Sequence, residues 1–338
     1  MRQPSLFEVL RGVRRAADAA GAAAGAVQVT DLFCGLGGFS CGAKLVGCTV
    51  VFACDSDALA LETYRLNHPE VATECGALPD SVRVPPPAAG VHSHLHGSPP
   101  CQMFSAMRAE TTAKRTANDA YDAALGLVEW FVRFAAASAF DTWSMEQVAS
   151  PETVSLLERL RREQPARVAF GVIDMARLGV PQHRTRLIAG SPALVASLLR
   201  AQSDAKIRSV AAAIRTPRGT HVRNGKSWAT RTATGGYRRA TLFQNSRSVG
   251  RPCFTVVGNG DLRWVTPTKP NSRGLRLTIR EKAALQTFPA SYSLPLKLRL
   301  ACRLVGNAVP PLFASLLMRA AAPQPGAACV GSRDPVAR

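Results

Sequence analysis

The feature that most constrains the fold is an apolar segment that runs directly into a glycine-rich turn. Ala26–Phe33 is predicted to form a buried strand, and Cys34–Gly38 a tight turn that opens a helix through Leu45. Glycines allow the backbone to approach a ligand closely, and the first N–H groups of a helix have no partner within it. The segment therefore predicts the first unit of a ligand-binding α/β sheet.

A second strand supports this interpretation because an acidic residue follows it. Thr49–Cys54 is predicted to be a strand, and Asp55, Ser56 and Asp57 come directly after it. In nucleotide-binding α/β folds, a carboxylate about 20 residues beyond the glycines accepts hydrogen bonds from a ribose. Asp55 stands at that separation, so the two features together predict a site for a ribose-containing ligand.

Short strands and helices alternate along most of the chain, which indicates a mostly parallel sheet. The fold class is therefore predicted to be α/β, with a Rossmann-like sheet whose ligands bind at the carboxyl ends of its strands. The further predicted elements are helices over 58–67, 120–139, 151–163, 277–288 and 312–321, and strands over 73–78, 91–96, 142–145, 168–174 and 187–189.

One region differs from the rest, because arginine, threonine, glycine and asparagine dominate it and its periodicity is poor. It is predicted to be a second, smaller, basic lobe, and the alternative is a disordered basic insertion. The predicted divisions are an N-terminal helix and linker (1–25), a main domain (26–190), the small basic region (191–274), a return to the main domain (275–322) and a loose tail (323–338).

The charge balance points to a polyanionic partner. The chain carries 42 Lys and Arg against 23 Asp and Glu, a formal net charge of +19. Arginine dominates, and its planar guanidinium suits phosphates and guanine edges. Compositional drift in an Ala- and Arg-rich chain is the competing explanation, and agreement with the motifs favours nucleic acid.

Cysteine and histidine spacing indicates neither a disulfide framework nor a metal site. The nine cysteines include no C-x-x-C pair, which suggests a reducing, intracellular location. His92, His94 and His96 alternate along a predicted strand, so they are expected on one sheet face rather than around a metal. The sequence is also expected to contain no membrane span, and the N-terminal segment is interpreted as a helix and linker rather than a targeting peptide.

Cys101 stands in a loop that is stiff before any tertiary contact forms. Pro99 and Pro100 precede it, and each fixes one backbone angle and lacks an N–H donor. The loop follows a predicted strand, so it lies at the ligand-binding edge. These properties suit a nucleophile, whereas the competing interpretation is a buried cysteine packing as a small apolar side chain.

Six motifs occur in one order along the chain: Asp31–Gly38, Pro99–Gln102, Glu146–Val148, Gln182–Arg186, Arg280–Pro289 and Gly306–Pro311. Together they resemble the DNA (cytosine-5)-methyltransferase family. The resemblance covers nearly the whole chain from Asp31 to Ala314 apart from the basic region. It implies methyl transfer from S-adenosyl-L-methionine to carbon 5 of a flipped-out cytosine in double-stranded DNA, by a monomeric protein without metal, with 191–274 as the target-recognition lobe.

The resemblance also implies roles for individual residues. Cys101 is expected to attack carbon 6 of the base, Glu146 to hold its N3 and amino group, and Arg184 and Arg186 to contact the base oxygen or steady the loop. The expected cofactor-binding residues are Phe33, Cys34, Gly35, Gly37, Gly38, Asp55, Ser56, Ala77, Pro99, Asn307 and Val309. The expected nucleic-acid-binding residues are Gln102, Ser105, Arg231, Arg238, Arg239 and Arg251.

Two positions depart from the family pattern. Gln147 stands where the family usually has Asn, so the hydrogen bonds that position the cysteine loop are expected to be arranged differently. Ala77 stands where an Asp usually holds the adenine amino group, so adenine is expected to bind backbone groups or Asp80. Asp55 replaces the more usual Glu and keeps the ribose carboxylate.

Two other functions stay open at the level of sequence. Cys253-Phe254-Thr255 resembles a motif of the tRNA-acting branch of the family, which suggests an RNA cytosine-5 methyltransferase. The departures at Gln147 and Ala77 suggest instead a DNA-binding relative with impaired catalysis. The expected location is intracellular in each case: a bacterial cytoplasm, or a nucleus or viral factory in a eukaryotic or viral setting.

Overall fold

The computed structural model describes residues 27–100, 114–203, 207–217, 219–224, 229–231, 237–239, 246–258, 260–266 and 274–323. Cys101, Gln102 and Ser105 lie outside these ranges, as do the predicted N-terminal helix and most of the predicted tail. The roles expected of these segments therefore stay predictions.

A seven-stranded sheet forms the centre of the fold. In chain order its strands are β1 (Gln28–Leu32), β2 (Thr49–Asp55), β3 (Ala72–Cys75), β4 (Ser93–Gly97), β5 (Thr142–Gln147), β6 (Ala169–Asp174) and β7 (Thr185–Gly190). Across the sheet they follow the order β3-β2-β1-β4-β5-β7-β6. The pairs from β3 to β5 are parallel, whereas β7 is antiparallel to both neighbours. The predicted α/β class with a mostly parallel sheet is thereby confirmed.

Two helices begin and end at the residues that the sequence predicts, because clear caps mark their first turns. Asp57 accepts hydrogen bonds from the N–H groups of Leu59 and Ala60, and Ser150 accepts one from Thr153. Within the described residues the helices are α1 (Gly38–Leu45), α2 (Ala58–Asn67), α3 (Lys114–Ala137), α4 (Pro151–Glu163), α5 (Pro192–Ser203), α6 (Val210–Ala213), α7 (Ile279–Leu285), α8 (Leu298–Asn307) and α9 (Pro311–Ala321).

Helices cover both faces of the central sheet, which explains why successive side chains of β1 are buried on both sides. On one face, α1, α5 and α9 contribute buried side chains such as Phe39 and Phe313. On the other face, α3 and α4 bury residues such as Phe131 and Leu157 against Trp143 of β5. This packing leaves the carboxyl ends of the strands as the accessible edge.

Helix α5 falls within the 191–274 range that the sequence assigns to the small basic region. Its Leu194, Val195 and Leu198 are buried in the same core as Ile173 of β6. The helix therefore packs on the central sheet. Helix α8 was not predicted as a separate helix, because the sequence there was interpreted as the segment that leads into the last helix.

The basic region contains short antiparallel strands. They are β8 (His221–Asn224), β9 (Ala229–Arg231), β10 (Tyr237–Arg239), β11 (Ser246–Ser248), β12 (Leu262–Val265) and β13 (Leu275–Arg276). Four of them form a sheet in the order β11-β8-β12-β13, and β9 pairs with β10. Val222 and Trp264 of this sheet share a core with Leu285 of α7 and Val305 of α8. The returning C-terminal helices thus support the small sheet.

One apolar stretch, residues 298–321, is long and apolar enough to cross a membrane, with a hydropathy of 1.4. In the fold this stretch is two helices, because α8 ends at Asn307 and α9 begins at Pro311. The share of its window that is buried inside the protein is 67%. Packing in the protein core accounts for its composition.

Candidate active site

A cleft of about 200 Å³ opens at the carboxyl ends of β1, β2 and β4. Glu146, at the end of β5, lines the same cleft, so the expected cofactor and catalytic residues meet at one edge of the sheet. The expected cofactor-binding residues that line it are Phe33, Cys34, Gly35, Asp55, Ser56, Pro99, Asn307 and Val309.

Arg303 and Asp57 line the cleft although sequence reasoning did not single them out. Arg303 Nη2 lies 2.6 Å from Asp57 Oδ2, an ion pair that joins α8 to the start of α2. Arg303 is four residues before Asn307 in α8 and so shares its face, which is the signal that could have identified it. The other lining residues not foreseen are Asp31, Leu36, Phe39, Ala60, Ser98, Pro100, Leu304 and Ala308.

The glycine turn and the acid after β2 are joined directly. Asp55 Oδ2 accepts a hydrogen bond from the N–H of Gly35 at 2.8 Å, and Asp55 Oδ1 accepts one from Asp57 at 2.8 Å. Burial raises the pKa of the Asp55 carboxyl. Each carboxylate oxygen has a further acceptor site, so Asp55 can still accept hydrogen bonds from ligand hydroxyls.

Gly37 and Gly38 support the cleft from behind and do not line it. Gly37 has φ +91°, and a Cβ there would lie 2.7 Å from His68 Nε2. A Cβ on Gly38 would lie 2.2 Å from the carbonyl oxygen of Val309. Gly37 therefore lets the turn pack closely against the end of α2, and Gly38 lets the start of α1 pack closely against the segment between α8 and α9.

Asp31, at the end of β1, is a buried carboxylate with an unused acceptor. Its Oδ2 accepts a hydrogen bond from Ser40 Oγ at 2.6 Å, and Ser40 also contacts the Tyr64 hydroxyl at 2.8 Å. Asp31 Oδ1 is buried without a hydrogen-bond partner among the described residues. Burial raises the pKa of Asp31 to about 7. An acid within an apolar strand is the sequence signal that could have marked it.

Ala77 is exposed after the end of β3 and does not line the cleft. Its carbonyl oxygen accepts a hydrogen bond from the N–H of Ser81 at 2.8 Å. Asp80, the acid considered as its substitute, is also exposed. The cleft is therefore bounded without either side chain.

Glu146 is 4% exposed and lies beside two guanidinium groups. Its Oε1 is 3.0 Å from Arg186 Nε and 3.5 Å from Arg184 Nη2. The orientation at Arg186 is not that of a hydrogen bond, and Glu146 Oε1 and Arg186 Nε are both buried without such a partner. Glu146 Oε1 and Arg186 Nε can therefore each form a hydrogen bond with a ligand. Because both atoms are buried, leaving them without a hydrogen bond costs free energy.

Arg184 joins three parts of the chain through main-chain carbonyls. Its Nη1 donates to Gly306 at 3.0 Å and to Val256 at 3.4 Å, and its Nη2 donates to Asn307 at 3.4 Å. The side chain is 1% exposed, whereas that of Arg186 is 12% exposed. Both arginines lie beside the carboxylate of Glu146, but Arg184 is held mainly by its contacts with main-chain carbonyls.

Gln147 connects the end of β5 to the segment that carries Cys101. Its Nε2 donates to the carbonyl oxygen of Pro99 at 3.1 Å, and its Oε1 accepts from the N–H of Val148 at 2.8 Å. The side chain is fully buried. The residue that departs from the family pattern therefore satisfies both ends of its amide while contacting the loop.

His94 and His96 form a buried hydrogen-bonded row on β4. His94 contacts Thr142 Oγ1 at 2.8 Å and Ser144 Oγ at 2.9 Å, and His96 contacts Ser144 Oγ at 2.8 Å. Burial lowers the pKa of His94 to about 3 and that of His96 well below its usual value. Among the residues that the structure describes, no cluster of His, Cys, Asp or Glu suits a metal.

The arginines expected to contact nucleic acid lie on the small sheets. Arg231 ends β9 and pairs with Tyr237, while Arg238 and Arg239 lie on β10. Arg251 follows the turn after β11 and is exposed. Gln102 and Ser105 lie outside the described residues.

The sequence comparisons identify the family. The family model of C-5 cytosine-specific DNA methylases matches residues 27–129 and 202–321. The chain is 31% identical over 178 residues to type II methyltransferase M.AgeI of Thalassovita gelatinovora, a match that spans 48% of this chain and 38% of that protein. It is 27% identical over 316 residues to type II methyltransferase M.AplI of Arthrospira platensis, covering 86% and 84% of the two chains.

Solved structures share the fold. A DNA modification methyltransferase described as encoded within a prophage of E. coli superposes with a TM-score of 0.56 at 18% identity, covering 87% of this chain and 98% of that one. The S. pombe Dnmt2 methyltransferase superposes with a TM-score of 0.56 at 14% identity, covering 87% and 97%. Together with the family match and the edge cleft, these findings lead to one conclusion: the chain belongs to the C-5 cytosine-specific DNA methylase family.

Proposed function

We propose that this protein transfers a methyl group from S-adenosyl-L-methionine to carbon 5 of cytosine in duplex DNA. The observation that carries the proposal is the position of Glu146. Oε1 of this buried carboxylate makes no hydrogen bond within the described residues, although it lies beside the guanidinium groups of Arg184 and Arg186. Glu146 lines the same cleft as Asp31, Asp55 and Pro99. Pro99 and Pro100 lead directly into Cys101, so the expected nucleophile follows residues at the cleft wall.

The residues around the cleft fit the cofactor. S-adenosyl-L-methionine supplies an electrophilic methyl group on a sulfonium centre. Asp31 Oδ1 is a buried acceptor without a partner, which suits the cofactor's α-ammonium group. Asp55 retains acceptor sites for ribose hydroxyls, and a Cβ on Gly35 would meet nothing within 4 Å, which leaves space at the turn. Phe33, Cys34, Ser56, Asn307 and Val309 complete the proposed cofactor walls.

The chemistry assigned to the protein begins with Cys101. Its thiolate forms a bond to carbon 6 of cytosine, and a proton held between Glu146 and N3 of the base balances the electrons that move into the ring. Carbon 5 thereby becomes nucleophilic toward the cofactor's methyl group. Transfer would break the bond between that methyl group and the sulfonium sulfur, leaving the electron pair on sulfur and a neutral thioether as the leaving group. Loss of the carbon 5 proton to water then restores the ring and expels the thiolate of Cys101.

The burial of Glu146 supports a base-flipping step. A cytosine stacked in a duplex cannot place N3 beside a carboxylate that is only 4% exposed. The target nucleotide must therefore leave the helix to reach it. Arg186, whose Nε lacks a hydrogen-bond partner in the described part of the chain, is assigned to the base oxygen. Arg184 is assigned a positioning role because its guanidinium bonds to Val256, Gly306 and Asn307.

The basic region is proposed to be the target-recognition lobe, within the range 191–274 apart from helix α5. Its small sheets carry three arginines proposed to contact the duplex, a fourth follows the turn after β11, and the loop after Pro100 supplies two further contacts. Affinity would then depend strongly on salt, because counterions leave the DNA when arginines bind phosphates. The proposed contacts are Gln102, Ser105, Arg231, Arg238, Arg239 and Arg251.

An RNA substrate is the second candidate, since Dnmt2 proteins are among the structural neighbours. Cys253-Phe254-Thr255 is the motif that suggested it. In the structure Thr255 Oγ1 donates to the carbonyl oxygen of His183 at 2.6 Å, and Cys253 exchanges main-chain hydrogen bonds with His183 and Pro181. These structural contacts explain the motif without reference to RNA, so we favour DNA.

Methyl transfer to defined substrates tests the proposal. The protein is incubated with S-adenosyl-L-methionine labelled in its methyl group, together with GC-rich duplex DNA or a tRNA mixture. We expect label at carbon 5 of cytosine in the duplex and none in Cys101→Ala. Label in tRNA alone would support the RNA alternative. Cofactor binding without label in either substrate would identify a relative with impaired catalysis.

A further inference from the structure

A second pocket, of about 470 Å³, lies at the junction of the basic region and the segment that carries Arg184. None of the described residues that line it is acidic, and two of them are serines. Such a combination of cationic groups and hydroxyls suits a tetrahedral oxyanion. The lining residues are His183, Ser246, Arg247, Ser248, Arg251 and Pro252.

His183 is held in one orientation by the end of β6. Its Nδ1 lies 2.6 Å from Asp174 Oδ2, and the other oxygen of Asp174 accepts from the N–H of Arg184 at 3.2 Å. Because Nδ1 faces the carboxylate, Nε2 is the ring atom that remains for a ligand, and it donates to an oxyanion only when both ring nitrogens carry a proton. The side chain is 40% exposed, so such a ligand can approach from solvent.

The two arginines are arranged by local contacts. Arg247 Nη1 donates to the carbonyl oxygen of Cys253 at 3.4 Å, and its guanidinium lies 4.3 Å from the ring centroid of Phe254. Arg251 closes a turn, since its N–H donates to the carbonyl oxygen of Ser248 at 3.0 Å. The guanidinium of Arg247 is therefore placed before any ligand arrives, and the turn fixes the main chain from which the exposed Arg251 side chain extends.

The pocket is rigidly connected to the catalytic residues. The N–H of His183 donates to the carbonyl oxygen of Cys253 at 3.0 Å, and Cys253 donates to that of Pro181 at 3.1 Å. Arg184 directly follows His183 in the chain, and its Nη2 lies 3.5 Å from Glu146 Oε1. A group bound beside His183 is thus fixed relative to Glu146 by one short length of chain.

We propose that this pocket binds one phosphodiester group of the DNA strand that carries the target cytosine. The inference rests on the proposed function and adds a specific subsite to it. By holding one phosphate, His183, Arg247 and Arg251 fix the register of the strand, so that the extruded base meets Glu146. Free phosphate shares the same chemistry, and the experiment separates it from the DNA backbone.

Salt-dependent DNA binding tests the subsite. Duplex affinity of the full chain is measured by fluorescence anisotropy over a range of salt for wild type, Arg251→Gln and His183→Gln. The control is Arg162→Gln, an exposed arginine on α4 outside the pocket. Losing one phosphate contact should reduce the slope of log K against log salt by about 0.9 for Arg251→Gln, with no change in the control.

Neutral methylphosphonate linkages near the target cytosine identify the phosphate. At one linkage, the affinity difference between wild type and Arg251→Gln should disappear. Inorganic phosphate at millimolar levels and constant ionic strength should not compete with the duplex for the protein. If phosphate does compete, and no methylphosphonate linkage changes the affinity difference, the pocket binds free phosphate and the proposal is overturned. An unchanged salt slope in both pocket variants would also overturn it, even if wild type methylates DNA. Wild type that binds with the expected slopes but transfers no methyl group would instead contradict the proposed function.

Discussion

The side-chain amide of Gln147 donates a hydrogen bond to the main-chain carbonyl of Pro99, 3.1 Å away. This contact joins the strand that carries Glu146 to the segment that leads into Cys101. The longer side chain still meets the loop, and its oxygen is satisfied by Val148. The departure from the family pattern is therefore compatible with a positioned nucleophile.

Replacement of Gln147 should slow catalysis without weakening cofactor binding. Gln147→Leu leaves the Pro99 carbonyl without its donor, a loss of about 1–3 kcal/mol for a buried group. If the loop loses that much positioning, kcat falls by about tenfold to a hundredfold. Single-turnover methylation and a cofactor titration measure the two effects. Gln147→Asn, which keeps an amide, should recover part of the rate; equal rates in Gln147→Leu and wild type would contradict the positioning role.

Cofactor affinity should depend on pH through Asp31. Burial raises the pKa of its carboxyl to about 7, so the free protein is protonated there below neutrality. A bound ammonium group requires the carboxylate, and a free α-ammonium stays charged up to about pH 7.7. Affinity should therefore weaken as pH falls from 7 to 5.5, by up to about tenfold per unit.

Isothermal titration of wild type and Asp31→Asn over this pH range measures the effect. Asp31→Asn should bind more weakly at pH 7 and show a flatter profile, since the titrating group is gone. Without cofactor, the Asp31 carboxyl of the folded state holds a proton that the same carboxyl loses in the unfolded state above its ordinary pKa of 3.8. This contribution to stability is present below pH 4 and is lost as pH rises through about 7. Identical affinity profiles in the two proteins would remove Asp31 from the site.

The buried histidines should destabilise the protein in mild acid. The pKa of His94 is lowered from 6.5 to about 3, so the unfolded state binds a proton that the folded state excludes between these values. The stabilising contribution is present above pH 6.5 and is lost as pH falls toward 3, at about 1.4 kcal/mol per pH unit for each histidine. Urea unfolding of wild type and His94→Gln at pH 7 and pH 5 measures it. A steeper loss in the variant would contradict the sign.

Two glycines in helices should respond oppositely to alanine. A Cβ on Gly306 would lie 2.1 Å from the N atom of Gly258. Gly306→Ala must therefore separate α8 from the segment at Val257 and Gly258, which follows the Val256 carbonyl that Arg184 contacts. A Cβ on Gly126 in α3 meets nothing within 4 Å. Thermal unfolding should show a lower Tm for Gly306→Ala and a gain of about 0.5–1 kcal/mol for Gly126→Ala. Equal effects would mean that the close contact is not maintained in solution.

Much of the fold could be predicted from sequence because local signals agree with packing. Residues that are neighbours in sequence determine three of these features: the glycine turn, the acid after β2 and the capped helix α2. Helix α5 was placed in the basic region because its flanking sequence is arginine-rich, although its apolar side chains pack on β6. Local patterns do not specify which of two cores a short helix joins.

Most residues of the site could be predicted from the sequence, whereas the contacts between them could not. The family motifs indicated Glu146 and the two arginines as residues of one site. They gave no indication that main-chain carbonyls hold Arg184, because its partners at Val256 and Gly306 are distant in sequence. The raised pKa of Asp31 was equally inaccessible, since it arises from burial by several segments.

Covalent trapping tests the central claim most directly. The protein is mixed with S-adenosyl-L-methionine and duplex DNA in which the target cytosines carry fluorine at carbon 5. Fluorine cannot leave as a proton does, so the thiolate of Cys101 cannot be expelled after methyl transfer. We predict a denaturant-resistant complex that requires the cofactor, is absent in Cys101→Ala, and maps to Cys101 by mass spectrometry. Methylation of ordinary duplex with no trapped complex, or an adduct at another cysteine, would contradict the proposed mechanism.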